Sequence, residues 1–150
     1  MIIVHHLENS RSQRVLWMLE ELGLPYQVKR YERNKTTMLA PPELKQVHPL
    51  GKSPVIEDTD GGHVIAETGA IVEYLVEKAD GRLGAPAHRD SALRYRFWLH
   101  YAEGSLMPPL LLKLVLSKVP LMGKPAMKRI QPMIDCLLYT SDAADEGLGV

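Results

Sequence analysis

Length, composition and charge describe a globular protein without a strongly charged surface. The 150 residues include 18 Lys and Arg and 18 Asp and Glu, so the formal net charge is zero. This balance argues against nucleic acid or an anionic membrane as a partner. One cysteine, Cys136, excludes a disulfide framework within the chain. Together with the absence of a charged and apolar leader before Ile2, it favours a cytoplasmic protein.

The first half of the chain alternates strand and helix patterns. Ile2-Ile3-Val4 is a short apolar run typical of a buried strand, and apolar residues then recur at helical spacing from Val15 to Leu22. A second strand pattern begins at Tyr26, and a short helix is expected near Pro41–Leu44. With the two strands and helix that follow, the order predicts a four-stranded mixed sheet covered by three helices.

The second half reads as helical. Glycine and proline mark residues 81–88 as a linker between a domain at 1–80 and a helical region at 89–135. Pro108-Pro109 is expected to kink or restart a helix there, because proline lacks an N–H group and clashes with the preceding turn. The apolar run at 106–116 is too short to span a bilayer.

The segment from His48 to Leu75 carries the strongest functional pattern. A loop ends at Ser53-Pro54, where we predict a cis bond, and Asp60-Gly61-Gly62 is typical of a tight hairpin turn. Thr68 is the expected N-cap of the next helix, whose N-terminus would suit a carboxylate. From these features alone, an ordinary hairpin and capped helix without a ligand is an equal alternative.

The motifs Gly51-Lys52-Ser53-Pro54 and Glu67-Thr68-Gly69-Ala70-Ile71, separated by the hairpin, resemble the glutathione transferase superfamily. The resemblance is to bacterial and fungal members and runs from about Ile2 to about Ile134. It implies an α/β thioredoxin-like domain followed by a partial all-α domain. It also implies that the protein binds glutathione as a substrate.

The resemblance assigns each end of glutathione to residues of these motifs. Lys52 would pair with the glycyl carboxylate, although an exposed loop lysine is the equal alternative. Ser53 and Pro54 would meet the cysteinyl backbone. Glu67 would bind the γ-glutamyl ammonium, and Thr68 with the helix N–H groups would bind its carboxylate.

The first loop would hold the group that activates the thiol. Ser10 matches the serine of the serine-using classes, and Asn9 is the alternative hydrogen-bond donor. The simpler interpretation is that Ser10 and Ser12 cap the following helix. A free thiol has a pKa of about 8.5, so only a small fraction is thiolate at neutral pH. A hydrogen-bond donor to the thiolate would lower this pKa and raise the thiolate fraction.

The implied reaction is attack of glutathione thiolate on an electrophile or a peroxide, a detoxification chemistry. Resemblance alone implies a homodimer of the full-length protein, through the helix that starts at Arg89. The alternative is a non-catalytic glutathione-binding or regulatory module. No metal is expected, because His5, His6 and His48 lack metal-ligand spacing.

The end of the chain breaks this resemblance. The peptide that starts at Cys136, Cys-Leu-Leu-Tyr-Thr-Ser-Asp-Ala-Ala-Asp-Glu, resembles the translation of a transposase sequencing adapter. We therefore expect residues 136–150 to be a non-native tail on a truncated chain. In a chain truncated in this way, the later helices of the helical domain would be missing. The apolar residues from Leu110 to Leu116, which those helices would cover, should then be exposed.

Overall fold

A computed structural model describes the backbone of residues 1–147 and the side chains of residues 1–136. The chain divides into two compact units, Met1–Gly84 and Ala85–Val150. This division falls within the breaker-rich segment at 81–88. Apart from Cys136, the side chains of the expected non-native tail lie outside the described residues.

The first unit contains four strands and three helices. They are β1 (Ile2–Leu7), α1 (Ser12–Leu22), β2 (Tyr26–Tyr31), α2 (Leu44–Val47), β3 (Val55–Asp58), β4 (His63–Ala66) and α3 (Thr68–Lys78). The sheet order is β2-β1-β3-β4, with β1 parallel to β2 and the other neighbours antiparallel. The predicted mixed sheet and the thioredoxin-like fold are confirmed.

The core of this unit lies between the sheet and the helices α1 and α3. Alternate residues of β1 point to the same face of the sheet, so Ile2 and Val4 meet the apolar stripes of the two helices. The buried cluster comprises Ile2, Val4, Val15, Leu19, Leu22, Ile56, Ile71, Leu75 and Ala79. These contacts hold the N-termini of α1 and α3 against the sheet.

The predicted cap of α3 is wrong, whereas Ser10 caps α1 as expected, because its Oγ accepts a hydrogen bond from the N–H of Ser12 (3.2 Å). Arg11 already has helical backbone angles and makes no side-chain cap bond, so Ser12 lies inside the helix and is not its cap. Likewise Glu67 caps α3 and Thr68 begins it, with no side-chain hydrogen bond from Glu67 to the helix. Ser12 and Thr68 are thus not caps, and their hydroxyl groups can bond to other partners.

The second unit is helical, as expected. It contains α4 (Arg89–Tyr101), a π-helical turn (Ala102–Leu106), α5 (Met107–Ser117) and α6 (Gly123–Gly147). Pro108 and Pro109 lie in the first turn of α5, where a missing N–H is tolerated, and the π-helical turn absorbs the break before them. No helix among the described residues is long and apolar enough to cross a membrane.

The expected apolar surface on α5 is present. Leu111 is 51% exposed and Leu114 is 57% exposed, and their spacing places them on neighbouring parts of one helix face. Exposed apolar side chains of this size promote self-association. The helix therefore carries a surface that water does not solvate well.

We expect the double variant Leu111→Lys/Leu114→Lys to aggregate several-fold less than the wild type at equal concentration. Light scattering during storage would measure this. The control Ser91→Lys/Ser105→Lys adds the same charge at two exposed polar positions. If the control suppresses aggregation equally, net charge and not the α5 surface is responsible.

Candidate functional site

A pocket in the first unit joins the two motifs singled out in the sequence. Its volume is about 90 Å³. It is lined by Arg11, Leu50, Lys52, Ser53, Pro54, Ala66, Glu67 and Thr68. Thus all five residues assigned to glutathione binding line one pocket, between the loop before β3 and the N-terminus of α3.

The loop before β3 is shaped by glycine and proline. Gly51 has a φ of +57°, and a Cβ there would lie 2.6 Å from Cγ of Lys45, so a larger residue would be strained and crowded. Ser53-Pro54 is a cis peptide bond, as predicted. The hydroxyl of Ser53 donates a hydrogen bond to the backbone oxygen of His5 (2.8 Å) and accepts one from the N–H of Leu7 (3.3 Å). These bonds fix the loop to β1.

The N-terminus of α3 forms the opposite wall of the pocket. Glu67 has a φ of 72° and a ψ of 126°, a conformation that costs energy for a residue with a Cβ and occurs most often at functional sites. Its side chain is exposed, whereas Thr68 is only 7% exposed. A carboxylate, a hydroxyl and the open N–H groups of α3 therefore converge on one pocket.

Ser10 lies beside the pocket and not among its lining residues. Its Oγ is 3.3 Å from Oγ of Ser53 and 2.7 Å from Oγ of Ser12, and it accepts a hydrogen bond from the N–H of Ser12 (3.2 Å). Ser12 Oγ in turn lies 2.8 Å from Nδ1 of His6. A chain of hydroxyl groups thus runs from the pocket edge to a histidine on β1.

Asn9, the alternative donor, has an exposed side chain and a left-handed backbone with a φ of 50°. Its carbonyl oxygen accepts a hydrogen bond from Arg33 (3.3 Å). Within the described residues, no group of three or more His, Cys, Asp or Glu side chains is arranged to hold a metal.

Arg11 is the charged pocket residue that the sequence did not lead us to expect. It is exposed, directly precedes α1 and lines the pocket together with Glu67. A basic side chain directly after Ser10 was a usable signal, because an anionic ligand needs positive charge nearby. With Lys52 it gives the pocket two cations.

A buried carboxylate anchors α3 to the hairpin that precedes it. Asp58 is 2% exposed and accepts hydrogen bonds from Tyr74 OH (2.5 Å), Lys78 Nζ (2.7 Å) and the N–H of Asp60 (3.1 Å). The bonds from Lys78 and Tyr74 hold the pKa of Asp58 far below its usual value. The hydrogen bond between Tyr74 and Asp58 also raises the pKa of Tyr74 to about 12.

The chain is similar to known proteins in both sequence and fold. A family model described as the N-terminal domain of glutathione S-transferase matches residues 10–78. A crystal structure of a glutathione S-transferase from Actinobacillus pleuropneumoniae superimposes with a TM-score of 0.78 at 36% identity, over 98% of this chain and 67% of that one. The chain belongs to the glutathione transferase superfamily.

Other members of this superfamily show how much of a glutathione transferase the chain represents. Glutathione S-transferase 1 of Saccharomyces cerevisiae is 40% identical over 129 residues, which are 83% of this chain and 55% of the yeast protein. A family member from Pseudomonas fluorescens with two glutathione molecules bound has a TM-score of 0.75 at 28% identity, over 93% of this chain and 63% of that one. The chain spans about half the length of the curated relatives it matches.

Proposed function

We propose that the first unit binds glutathione and that the protein acts as a glutathione transferase. The observation that carries this proposal is the single pocket formed by Lys52, Ser53, Pro54, Glu67 and Thr68, with Ser10 at its edge. The Pseudomonas fluorescens relative with bound glutathione supports the choice of ligand. The charges of the pocket suit a zwitterionic peptide, which carries carboxylates at both ends and one ammonium group.

Each group of the pocket has a partner in glutathione. Glu67 takes the γ-glutamyl ammonium, and Thr68 with the N–H groups of α3 takes its carboxylate. Lys52 takes the glycyl carboxylate, and the loop at Ser53-Pro54 meets the cysteinyl backbone. This orientation leaves the thiol near Ser10 at the start of α1.

Ser10 acts on the thiol as a hydrogen-bond donor. A hydroxyl that donates to sulfur stabilises the thiolate more than the thiol, because the bond to the charged form is stronger. The positive end of α1 adds to this effect. Lowering the pKa of the thiol by about two units requires about 2.7 kcal/mol, which one charge-assisted bond and the helix supply together.

We expect Ser10→Ala to raise the pKa of the bound glutathione thiol by one to about two units while the affinity stays nearly unchanged. The reason is that the hydroxyl contacts sulfur and not the peptide backbone of the ligand. Ultraviolet absorbance of the thiolate against pH measures the pKa, and titration calorimetry measures the affinity.

Asn9→Ala is the matched control for this experiment, because Asn9 is the neighbouring candidate donor. If Asn9→Ala shifts the pKa and Ser10→Ala does not, the side-chain amide is the donor. Binding with no lowering of the thiol pKa in the wild type would instead identify a non-catalytic glutathione-binding module.

The activity of the whole protein is part of the same proposal. The thiolate would attack an electrophile or a peroxide, in a detoxification reaction. We further propose a homodimer of the full-length protein that works in the cytoplasm, where glutathione is abundant and a protein with one cysteine stays reduced.

A further inference from the structure

The hydroxyl chain beside the pocket ends on a histidine that has no role in the site described so far. Ser10 Oγ, Ser12 Oγ and His6 Nδ1 follow one another at 2.7 Å and 2.8 Å. Both separations are in the range of good hydrogen bonds. Ser12 is fully buried, so water does not compete for its hydroxyl.

The fold places this histidine on the helix side of the sheet. Residues of β1 alternate between faces, so His6 shares the face of Ile2 and Val4, against which α1 packs. Ser12 is the first residue of α1 and therefore lies over the end of β1. His5, one position earlier, points to the other face and contacts Tyr31 and Glu57.

The hydrogen bonds of the hydroxyl chain can all point towards His6 or all point towards the pocket, because either serine can be the donor. In one direction Ser10 donates to Ser12 and Ser12 donates to a neutral His6, which leaves an Oγ lone pair of Ser10 facing the pocket. In the other direction His6 donates from Nδ1 to Ser12, Ser12 donates to Ser10, and Ser10 donates into the pocket. The second direction supplies the bond that a thiolate needs.

We propose that His6 is a positioning residue that takes up the glutathione thiol proton through Ser12 and Ser10. The S–H bond of the thiol breaks and its proton goes to Ser10 Oγ. Ser10 passes its own proton to Ser12 Oγ, and Ser12 passes its proton to His6 Nδ1, where a new N–H bond forms. One thiol becomes one thiolate and one imidazole becomes one imidazolium, with no change in oxidation state.

The transfer leaves every hydroxyl pointing in the direction that stabilises the product. After it, Nδ1–H donates to Ser12, Ser12 to Ser10, and Ser10 to the thiolate, so deprotonation and stabilisation occur in the same step. The N–H of Ser12 supports Ser10 Oγ in both states. His6 is only half-buried, so it returns the proton to water after turnover.

The surroundings of His6 keep it neutral until the thiolate forms. Burial first, and the positive charge of Arg30 second, hold the pKa of His6 below its usual value, so it is neutral at pH 7. Arg30 lies beside it on β2, and α1 presents the Ser12 hydroxyl. The thiolate itself favours the imidazolium, since each charge stabilises the other, as in thiolate–imidazolium pairs of cysteine enzymes.

The test counts protons when glutathione binds to the 150-residue chain near pH 7. Ultraviolet absorbance gives the thiolate formed, and calorimetry in two buffers of different ionisation enthalpy gives the protons released. In the wild type we expect clearly fewer protons released than thiolates formed, because His6 keeps the proton. Equal numbers in the wild type would overturn the proposal.

Variants separate proton uptake from structural support. His6→Asn offers an amide donor to Ser12 but takes up no proton, so released protons should rise to one per thiolate. Ser12→Ala interrupts the chain and should have the same effect. The control His63→Asn replaces an exposed histidine on β4 and should behave as the wild type.

The outcomes distinguish this inference from the proposed function on which it rests. Glutathione binding with unchanged proton release in His6→Asn and Ser12→Ala would overturn the role of His6 alone. No glutathione binding by the folded wild type would overturn the proposed function and this inference together. Circular dichroism of each variant shows whether it is folded. The number of protons released per thiolate in the wild type tests the inference even if a variant does not fold.

Discussion

Replacing Asp58 with asparagine is expected to lower the free energy of unfolding by about 3 kcal/mol at pH 7, the lower end of the range for a buried pair that loses one partner. The carboxylate is 2% exposed and holds Tyr74 and Lys78 through one oxygen. An amide keeps its size but loses its charge and one acceptor oxygen. The lower end applies because the side chain of Lys78 is 29% exposed and reaches water when released.

The pH dependence of stability provides a second signature of Asp58. Its pKa is lowered in the folded protein, chiefly by Lys78 and then by Tyr74. The stabilisation is therefore fully present above the unfolded pKa of about 3.9 and is lost as the pH falls towards the folded pKa. The stability difference between wild type and Asp58→Asn should accordingly shrink on acidification below about pH 4.

Tyr74 makes the stability depend on pH in the opposite direction, with a loss of stability at alkaline pH. Its pKa is raised to about 12 by the bond to Asp58, so the protonated phenol is favoured in the folded state. This stabilisation is present below the unfolded pKa of about 10 and is lost as the pH rises through the folded value. Tyr74→Phe should remove that alkaline loss.

Urea unfolding of the variants measures these effects. Asp60→Asn is the matched control, because it alters a neighbouring aspartate whose side chain is 72% exposed, and it should change the stability much less than Asp58→Asn. An equal loss in both variants would show that the turn, and not the buried carboxylate, determines the stability.

The sheet, the hairpin and the cis proline were predictable because they are encoded locally. Short apolar runs, an Asp-Gly-Gly turn and a proline before a strand each restrict the backbone within a few residues. The βαβ order then limits the sheet to few topologies. Lys52, Ser53, Pro54, Glu67 and Thr68 followed from the resemblance, and the structure places them together.

The errors arose where tertiary contacts override local preference. Thr68 is a good N-cap by composition, but the positive φ of Glu67 turns the chain so that Thr68 is already helical. Asp58 lies next to the Asp60-Gly61-Gly62 turn, yet it is buried because Tyr74 and Lys78 reach it from one face of α3. Their spacing of four was the available signal.

The hydroxyl chain was beyond local reasoning for the same reason. Ser10 and Ser12 read as caps, and His6 reads as a lone histidine without a metal partner. Only the packing of α1 on β1 brings Ser12 within 2.8 Å of His6. Alternation along β1 placed His6 on the helix side, but no sequence pattern identified which helical residue lies opposite.

The second large effect concerns the γ-glutamyl end of the pocket. Glu67→Ala and Thr68→Ala should each weaken glutathione binding by about 1–3 kcal/mol, because each removes a hydrogen-bonding partner of a charged group of the ligand. Thr68 is 7% exposed, so water replaces its hydroxyl poorly. Titration calorimetry measures the affinity.

Conservative variants separate ligand contacts from backbone effects at these two positions. Thr68→Ser keeps the hydroxyl and should restore most of the affinity lost in Thr68→Ala. Because Glu67 has a φ of 72°, Glu67→Gly relieves backbone strain while removing the carboxylate, so it should be more stable than Glu67→Ala but bind equally weakly. Glu73→Ala, at an exposed position further along α3, is the control and should bind normally. Unchanged affinity in both Glu67→Ala and Thr68→Ala would remove the glutathione site from this pocket, whatever the behaviour of Ser10.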